Sequence, residues 1–154
     1  MPLRSGRAPR ERVPDLIRKA TPTDIPNLMR IRASVRENRL SDPSRVTVSD
    51  YVWHVTHAAV HIWEDNGVIQ GWSAGDLRDG SIWALFVDPQ FEGRGIGQAL
   101  ISATCRSLAA DGHYTAKLTT DSGTRAENFY LLDGWEPQGI TERREIIFTK
   151  LLRD

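Results

Sequence analysis

The chain has 154 residues, enough for one domain with a sizeable hydrophobic core. Its 20 Lys and Arg residues balance its 20 Asp and Glu residues, so no net charge favours nucleic acid or an anionic membrane as a partner. The single cysteine, Cys105, cannot form an internal disulfide, and no long apolar segment predicts a signal peptide or a membrane span. We therefore expect one globular domain in the reducing cytoplasm.

Residues 1–14 form an arginine-rich tail. They carry four arginines and three prolines and little apolar content, which is typical of a mobile segment. The domain itself is predicted to span residues 15–154. The alternative for the tail is an arm that contacts an acidic partner or cofactor phosphates.

The first predicted strand spans residues 16–20, and a helix is expected to begin near Asp24. Thr23 is the predicted N-cap of this helix, because Pro26 then falls in the first turn, where its missing N–H costs little. The sequence Ser41-Asp-Pro43 would stop the helix. The residues expected on its inner face are Ile25, Leu28, Met29, Arg32 and Val35.

A second helix and a hairpin are predicted next. Thr47 and Asp50 resemble a capping box, and Asn66-Gly67 is a strong hairpin signal between strands at residues 60–64 and 68–73. His54, His57 and His61 could suggest a metal site. We expect none, because no cysteine lies nearby and His61 already belongs to the next strand.

The most informative stretch follows, as a strand, a glycine loop and a helix. Residues 82–87 are an apolar run that Asp88-Pro89 ends. Gly93, Gly95 and Gly97 then alternate, and apolar residues continue at helical spacing to Leu108. Unpaired N–H groups at a helix start, together with the helix dipole, attract anions, and glycine lets a phosphate approach the backbone. The pattern predicts a pyrophosphate site, and the alternative is a plain turn.

The remaining elements complete a sheet. Asp111-Gly112 ends the long helix, and residues 114–119 form a strand whose crossover connection favours parallel pairing with residues 82–87. A short helix ends at Gly134. Residues 140–152 fit two closing strands, or one strand with a lead-in, interrupted by a turn at Gly139.

Two motifs carry a resemblance to a known family. The run from Val87 to Ile101 resembles the coenzyme A-binding motif of the GCN5-related N-acetyltransferases, in which an Arg or Gln is followed by two residues, a Gly, one residue, and a Gly or Ala. Gly95 and Gly97 match it, whereas Glu92 replaces the usual Arg or Gln. A second signature of the family is matched by Ala126, Phe129, Tyr130, Gly134 and Trp135. Gly123 stands where many members have Asn.

The resemblance covers nearly the whole chain and implies a fold. The fold is α+β, a three-layer α/β/α sandwich with a mixed, mostly antiparallel sheet of about seven strands. Its one parallel pair of strands would splay around coenzyme A. The residues implied in cofactor binding are Phe86, Val87, Gly93, Arg94, Gly95, Ile96, Gly97, Gln98 and Arg125.

The resemblance also implies an activity, the transfer of an acetyl group from acetyl-coenzyme A to a primary amine by direct attack. Tyr130 would protonate the leaving thiolate, since a phenol pKa near 10 is close to that of a thiol; a core tyrosine is the alternative. Many members carry a catalytic glutamate on the strand before the glycine loop, but residues 81–84 offer none. Glu37, Asp76 or an ordered water would then act as the base.

Two other functions are compatible with parts of this pattern. A non-catalytic acyl-coenzyme A sensor would keep the glycine loop without needing an acid at Tyr130. A structural or partner-binding module would not bind coenzyme A at all. The acceptor, a small amine or a peptide, and the formation of a homodimer are left open by the sequence.

Overall fold

The structure, a computed structural model, describes residues 16–35 and 46–153 of the chain. The tail at residues 1–14, the predicted end of the first helix and Glu37 lie outside these residues. The strands are β1 (Ile17–Lys19), β2 (Val60–Asp65), β3 (Val68–Asp76), β4 (Ser81–Val87), β5 (Thr115–Asp121), β6 (Glu136–Ile140) and β7 (Glu145–Leu151). The helices are α1 (Ile25–Ser34), α2 (Val48–His57), α3 (Ile96–Ala110) and α4 (Arg125–Leu132).

The seven strands form one sheet in the order β1-β2-β3-β4-β5-β7-β6. Every neighbouring pair is antiparallel except β4 with β5, which is parallel. This pair has a single point of register, Ser81 with Lys117. The two strands therefore separate towards their carboxyl ends, as the resemblance implied, and the α+β sandwich is confirmed.

Alternation along β3 places the helices on the two faces of the sheet. Trp72 points to one face, where its Nε1 donates to the carbonyl of Leu28 in α1 at 3.0 Å. Gly71 and Gly75 point to the other face, where a Cβ on Gly75 would lie 3.0 Å from Leu108 of α3. These glycines let α3 pack close to the sheet, which fixes the start of α3 beside the end of β4.

Two hydrophobic cores fill the layers between the sheet and the helices. The core under α1 and α2 contains Ile25, Leu28, Ile31, Tyr51, Val60, Ile62, Ile69, Trp72, Ala74 and Ala84. The core under α3 and α4 contains Ile101, Leu108, Ala116, Leu118, Tyr130, Trp135, Ile146 and Phe148. The longest described helix, α3, has 15 residues, and no described helix has the length and apolar character needed to cross a bilayer.

Two local predictions are confirmed by backbone geometry. Asn66 and Gly67 have φ angles of 54° and 76°, as a tight hairpin with two positive φ angles requires. Thr47 caps α2, because its side chain accepts from the N–H of Asp50 at 3.3 Å while Asp50 accepts from the N–H of Thr47 at 2.8 Å.

Two predictions about the first helix are wrong. The capping box is formed by Thr21 with Asp24, and a short 3-10 turn at Pro22–Asp24 precedes α1, so Thr23 is not the cap. Met29 is exposed and Ile31 is fully buried in its place. The buried face runs through Ile25, Leu28 and Ile31, which leaves Met29 outside it.

Gly139 does not interrupt the closing strands. It lies within β6, beside a bulge between Pro137 and Gly139, and the turn comes after Ile140. β6 is one of the two edge strands of the sheet, where a proline and a bulge are tolerated because one side of the strand has no partner to pair with.

Candidate active site

A cleft of about 1430 Å³ opens where β4 and β5 separate. Phe86 and Val87 form its wall on the β4 side, and Thr120 and Asp121 form its wall on the β5 side. The cleft is also lined by Arg32 of α1 and by Tyr130 of α4, which belong to opposite helical layers, so the gap in the sheet connects the two layers.

The glycine loop lies at one end of this cleft. Gly93 and Gly95 have φ angles of 77° and 82°, and a Cβ built on either would have no other atom within 4 Å. Gly95 is the N-cap of α3 and provides no side-chain hydrogen bond. The first N–H groups of α3 therefore have no capping side chain at Gly95, in a setting suited to an anion.

Eight of the nine predicted cofactor-binding residues line the cleft. The eight are Phe86, Val87, Gly93, Gly95, Ile96, Gly97, Gln98 and Arg125. Arg94 does not line it, and its guanidinium lies over the ring of Phe91, 5.4 Å from the centroid. The predicted base Glu37 lies outside the described residues.

The unusual residue of the glycine loop, Glu92, forms an ion pair with Arg125. Oε1 of Glu92 lies 2.9 Å from Nη1 of Arg125 at the start of α4. Both side chains are substantially exposed, so this pair contributes little to stability. It offsets the negative charge of Glu92 and joins the glycine loop to α4 across the cleft.

Asp133, just after α4, forms hydrogen bonds with three side chains beside the start of α3. Its carboxylate accepts from Nε2 of Gln98 at 2.7 Å and from Nε1 of Trp135 at 3.0 Å. Nζ of Lys150 donates to the backbone carbonyl and the carboxylate of Asp133 at 2.6 and 3.2 Å. The side chain of Gln98 is thus engaged within the protein, which leaves its backbone N–H as the group available to a ligand.

Tyr130 lines the cleft but is only 7% exposed. Its ring packs against Phe129, Trp135 and Phe148 with centroid distances of 5.2, 5.7 and 5.9 Å. Burial, assisted by the negative charge of Asp133, raises the pKa of Tyr130 well above its usual 10. The phenol is therefore protonated at neutral pH and can act as a hydrogen-bond donor.

The carboxylates of the cleft differ from the candidate bases of the sequence. Glu92, Asp121 and Glu145 line it among the described residues, and Asp76 does not. Asp76 instead accepts from Nε and Nη2 of Arg78 at 2.9 and 2.7 Å, and these hydrogen bonds hold its pKa below the usual value. Asp76 is not positioned to take a proton from an acceptor in the cleft.

Within residues 16–35 and 46–153, no three His, Cys, Asp or Glu residues are grouped as metal ligands. His54 is buried and stacks on Trp83 at 3.8 Å. Nε2 of His61 lies 2.9 Å from the hydroxyl of Ser107. Burial lowers the pKa of both imidazoles, so both are neutral at pH 7.

The cleft also contains charged residues that the sequence analysis did not assign to the site. Arg143 and Glu145 reach it from the β6–β7 connection and the start of β7, and Arg32 reaches it from α1. For Arg32 a signal existed, because an arginine stood on an otherwise apolar helix face. For the other two, no local pattern indicated that the end of the chain returns to the glycine loop.

Comparison with known proteins identifies relatives of this arrangement. A model of the acetyltransferase (GNAT) family matches residues 25–134, and no curated protein matches the chain. An N-acetyltransferase from Staphylococcus aureus has a TM-score of 0.74 at 17% identity, covering 89% of this chain and 98% of its own. PaiA N-acetyltransferase from Thermoplasma acidophilum, solved in complex with coenzyme A, has a TM-score of 0.75 at 12% identity, covering 88% and 97%. A ribosomal-protein-alanine N-acetyltransferase from Brucella melitensis has a TM-score of 0.69 at 18% identity, covering 88% and 99%. At these identities the likeness shows a shared fold.

Proposed function

Because the chain belongs to the acetyltransferase (GNAT) family, we propose that it transfers an acetyl group from acetyl-coenzyme A to a primary amine of a small-molecule or peptide acceptor. The observation that carries this proposal is the open glycine loop at the start of α3, beside the gap between β4 and β5. Coenzyme A in the related PaiA structure supports the choice of cosubstrate. The cytoplasmic location and a homodimer stay predictions from the sequence.

The residues of the cleft fit this cosubstrate. The space in front of Gly93 and Gly95 is open, so a pyrophosphate can meet the N–H groups of the loop and of the first turn of α3. Beyond Ser81, the backbone of β4 that faces β5 has no strand partner. Those groups around Phe86 and Val87 are suited to the amide groups of the pantetheine arm.

The reaction is one bond exchange at the acetyl carbon. Acetyl-coenzyme A supplies a thioester; the acceptor nitrogen forms the amide bond, the C–S bond breaks, the nitrogen loses a proton and the sulfur gains one. We assign Tyr130 to the sulfur side, where its phenol donates a hydrogen bond or its proton. An ordered water, or Glu37, takes the proton from the amine.

A panel of amines tests this function. Release of free thiol from acetyl-coenzyme A is measured for each amine, acetylated product is identified by mass spectrometry, and cofactor affinity is measured by calorimetry. We expect tight binding and thiol release with a subset of acceptors. Binding without release from any acceptor would indicate the acyl-coenzyme A sensor, and absence of binding would indicate the structural module.

A further inference from the structure

Arg32 is the feature of the cleft that the proposed reaction leaves unexplained. It lies on α1 and lines the cleft beside β4. Its guanidinium carbon is 5.6 Å from the ring centroid of Trp83 and 4.9 Å from that of Phe86. Nε and Nη1 are buried, and neither has a hydrogen-bond partner among the residues that the structure describes.

Two aromatic rings do not satisfy this group. They attract the cation as a whole, but they supply no oxygen atom for the N–H groups of the guanidinium. Buried polar groups are normally hydrogen-bonded, and a charged donor without a partner is costly. The neighbouring Arg30 shows the contrast, because it is half exposed and still pairs with Asp88 at 3.2 Å.

The other charges of the cleft do not neutralise Arg32. Glu92 is paired with Arg125, whereas Asp121 and Glu145 lie on β5 and β7, across the gap from the face of β4 that Arg32 contacts. No salt bridge joins any of the three to Arg32 within the described part of the chain. A buried cation in the pocket wall with no counter-ion among the described residues suits an anionic ligand.

We propose that Arg32 binds a carboxylate of the acceptor, so that the substrate is a small amine that carries a carboxylate close to the reacting nitrogen. This inference depends on the proposed acetyl transfer. A carboxylate is planar and matches two adjacent guanidinium N–H groups. Phe86 contacts the guanidinium and is also assigned to the pantetheine arm, so a carboxylate on Arg32 places the amine near the thioester only if the molecule is short.

Matched pairs of acceptors test the inference by activity. Thiol release from acetyl-coenzyme A is measured with the common amino acids and with their amides, and rates are compared per concentration of neutral amine, because amidation also lowers the pKa of the α-amine. We expect kcat/KM to favour the acids by at least about tenfold, the scale of a single charge-assisted hydrogen bond. The variant Arg32→Met should lose this preference through a higher KM for acids, and Arg32→Lys should keep part of it.

Arg30→Met, which removes a positive charge from the same helix, should keep the preference and serves as the control. The inference is overturned if the amides are as good as the acids in the wild-type protein, or if the preference survives in Arg32→Met. Thiol release with neutral amines alone would leave the proposed function standing and remove only this inference.

A binding measurement keeps the two failures distinguishable if no acceptor is turned over. The protein with coenzyme A is titrated with N-acetyl amino acids and with their amides, and the arginine Nε resonances are followed by NMR. The resonance of Arg32 is identified by its absence from the spectrum of Arg32→Lys. It should shift when the N-acetyl amino acids are added and should not shift when their amides are added. If no arginine resonance distinguishes them, the carboxylate site is rejected whatever the reaction proves to be.

Discussion

The substitution Gly95→Glu tests the pyrophosphate site most directly. Gly95 has a φ of 82°, and a Cβ at this position would have no other atom within 4 Å. The substitution therefore lowers the free energy of unfolding by roughly 1–2 kcal/mol through left-handed backbone strain, with no further cost from steric overlap. For a chain of this size that corresponds to a fall in Tm of about 2–8 °C. Loss of one charge-assisted hydrogen bond to phosphate amounts to about 1.5–3 kcal/mol. A like charge about 4 Å away adds about 4 kcal/mol at an effective dielectric constant of 20.

Together the two terms amount to about 5.5–7 kcal/mol, and even half of that weakens acetyl-coenzyme A binding by about 100-fold, because each 1.4 kcal/mol is about tenfold in Kd. Calorimetric titration with acetyl-coenzyme A measures the effect. Gly67→Glu is the matched control, since Gly67 in the β2–β3 turn has a φ of 76°, equally open surroundings and no place in the cleft lining. Both variants should show the same fall in Tm, and only Gly95→Glu should lose affinity. A Kd within about threefold of the wild-type value for a folded Gly95→Glu protein would refute the site.

Three further predictions concern buried titratable groups. Tyr130→Phe should lower kcat by about 10²–10⁴-fold with little change in cofactor affinity, and stopped-flow measurement of the chemical step checks this; an unchanged chemical rate returns Tyr130 to core packing. Burial raises the pKa of the Cys105 thiol from its usual 9.0 to about 11. At pH 8 the thiolate fraction of Cys105, and hence its rate of alkylation by iodoacetamide, should therefore be about 100-fold lower in the folded protein than in the urea-unfolded protein. Burial lowers the folded-state pKa of His54 below its usual 6.5. The contribution of His54 to the free energy of unfolding is therefore fully present above pH 6.5. It is lost as the pH falls below that value, because the unfolded chain binds the proton more readily. The urea midpoint is measured at about pH 7.5 and at about pH 5.5. The difference between these two midpoints should be smaller for His54→Phe than for the wild-type protein or for His57→Phe, a control at an exposed site. Equal differences in all three proteins would contradict the assignment.

Local patterns predicted the elements that local chemistry determines. The Asn66-Gly67 turn, the Thr47 cap and the extent of β4 follow from turn propensity, capping and an apolar run bounded by Pro89. The start of the first helix near Asp24 was predicted correctly, but its capping residue was not, because two threonines could cap it. Asp24 decides between them, since its carboxylate accepts from the N–H of Thr21 at 2.8 Å and also from Nη1 of Arg18 at 2.9 Å.

The candidate site was predictable only in the part that one continuous segment builds. The glycine loop lies between a strand and its following helix, so spacing alone indicated it. The pair Glu92–Arg125 and the neighbours of Asp133 join segments that are distant in the chain. The contact of Arg32 with Trp83 and Phe86 is of the same kind. Such contacts depend on the packing of helices against the sheet, which periodicity does not specify.

The gap between β4 and β5 has a consequence for the order of events in a catalytic cycle. Because the cleft connects the two helical layers, an amine on the α1 side and a thioester on the α3 side can occupy it together. Cys105, the only cysteine, is not among the residues that line the cleft, so no thiol is placed to hold the acetyl group between two half-reactions. Double-reciprocal plots at several fixed amine concentrations should therefore give lines that intersect, whereas parallel lines would require a covalent intermediate elsewhere on the chain.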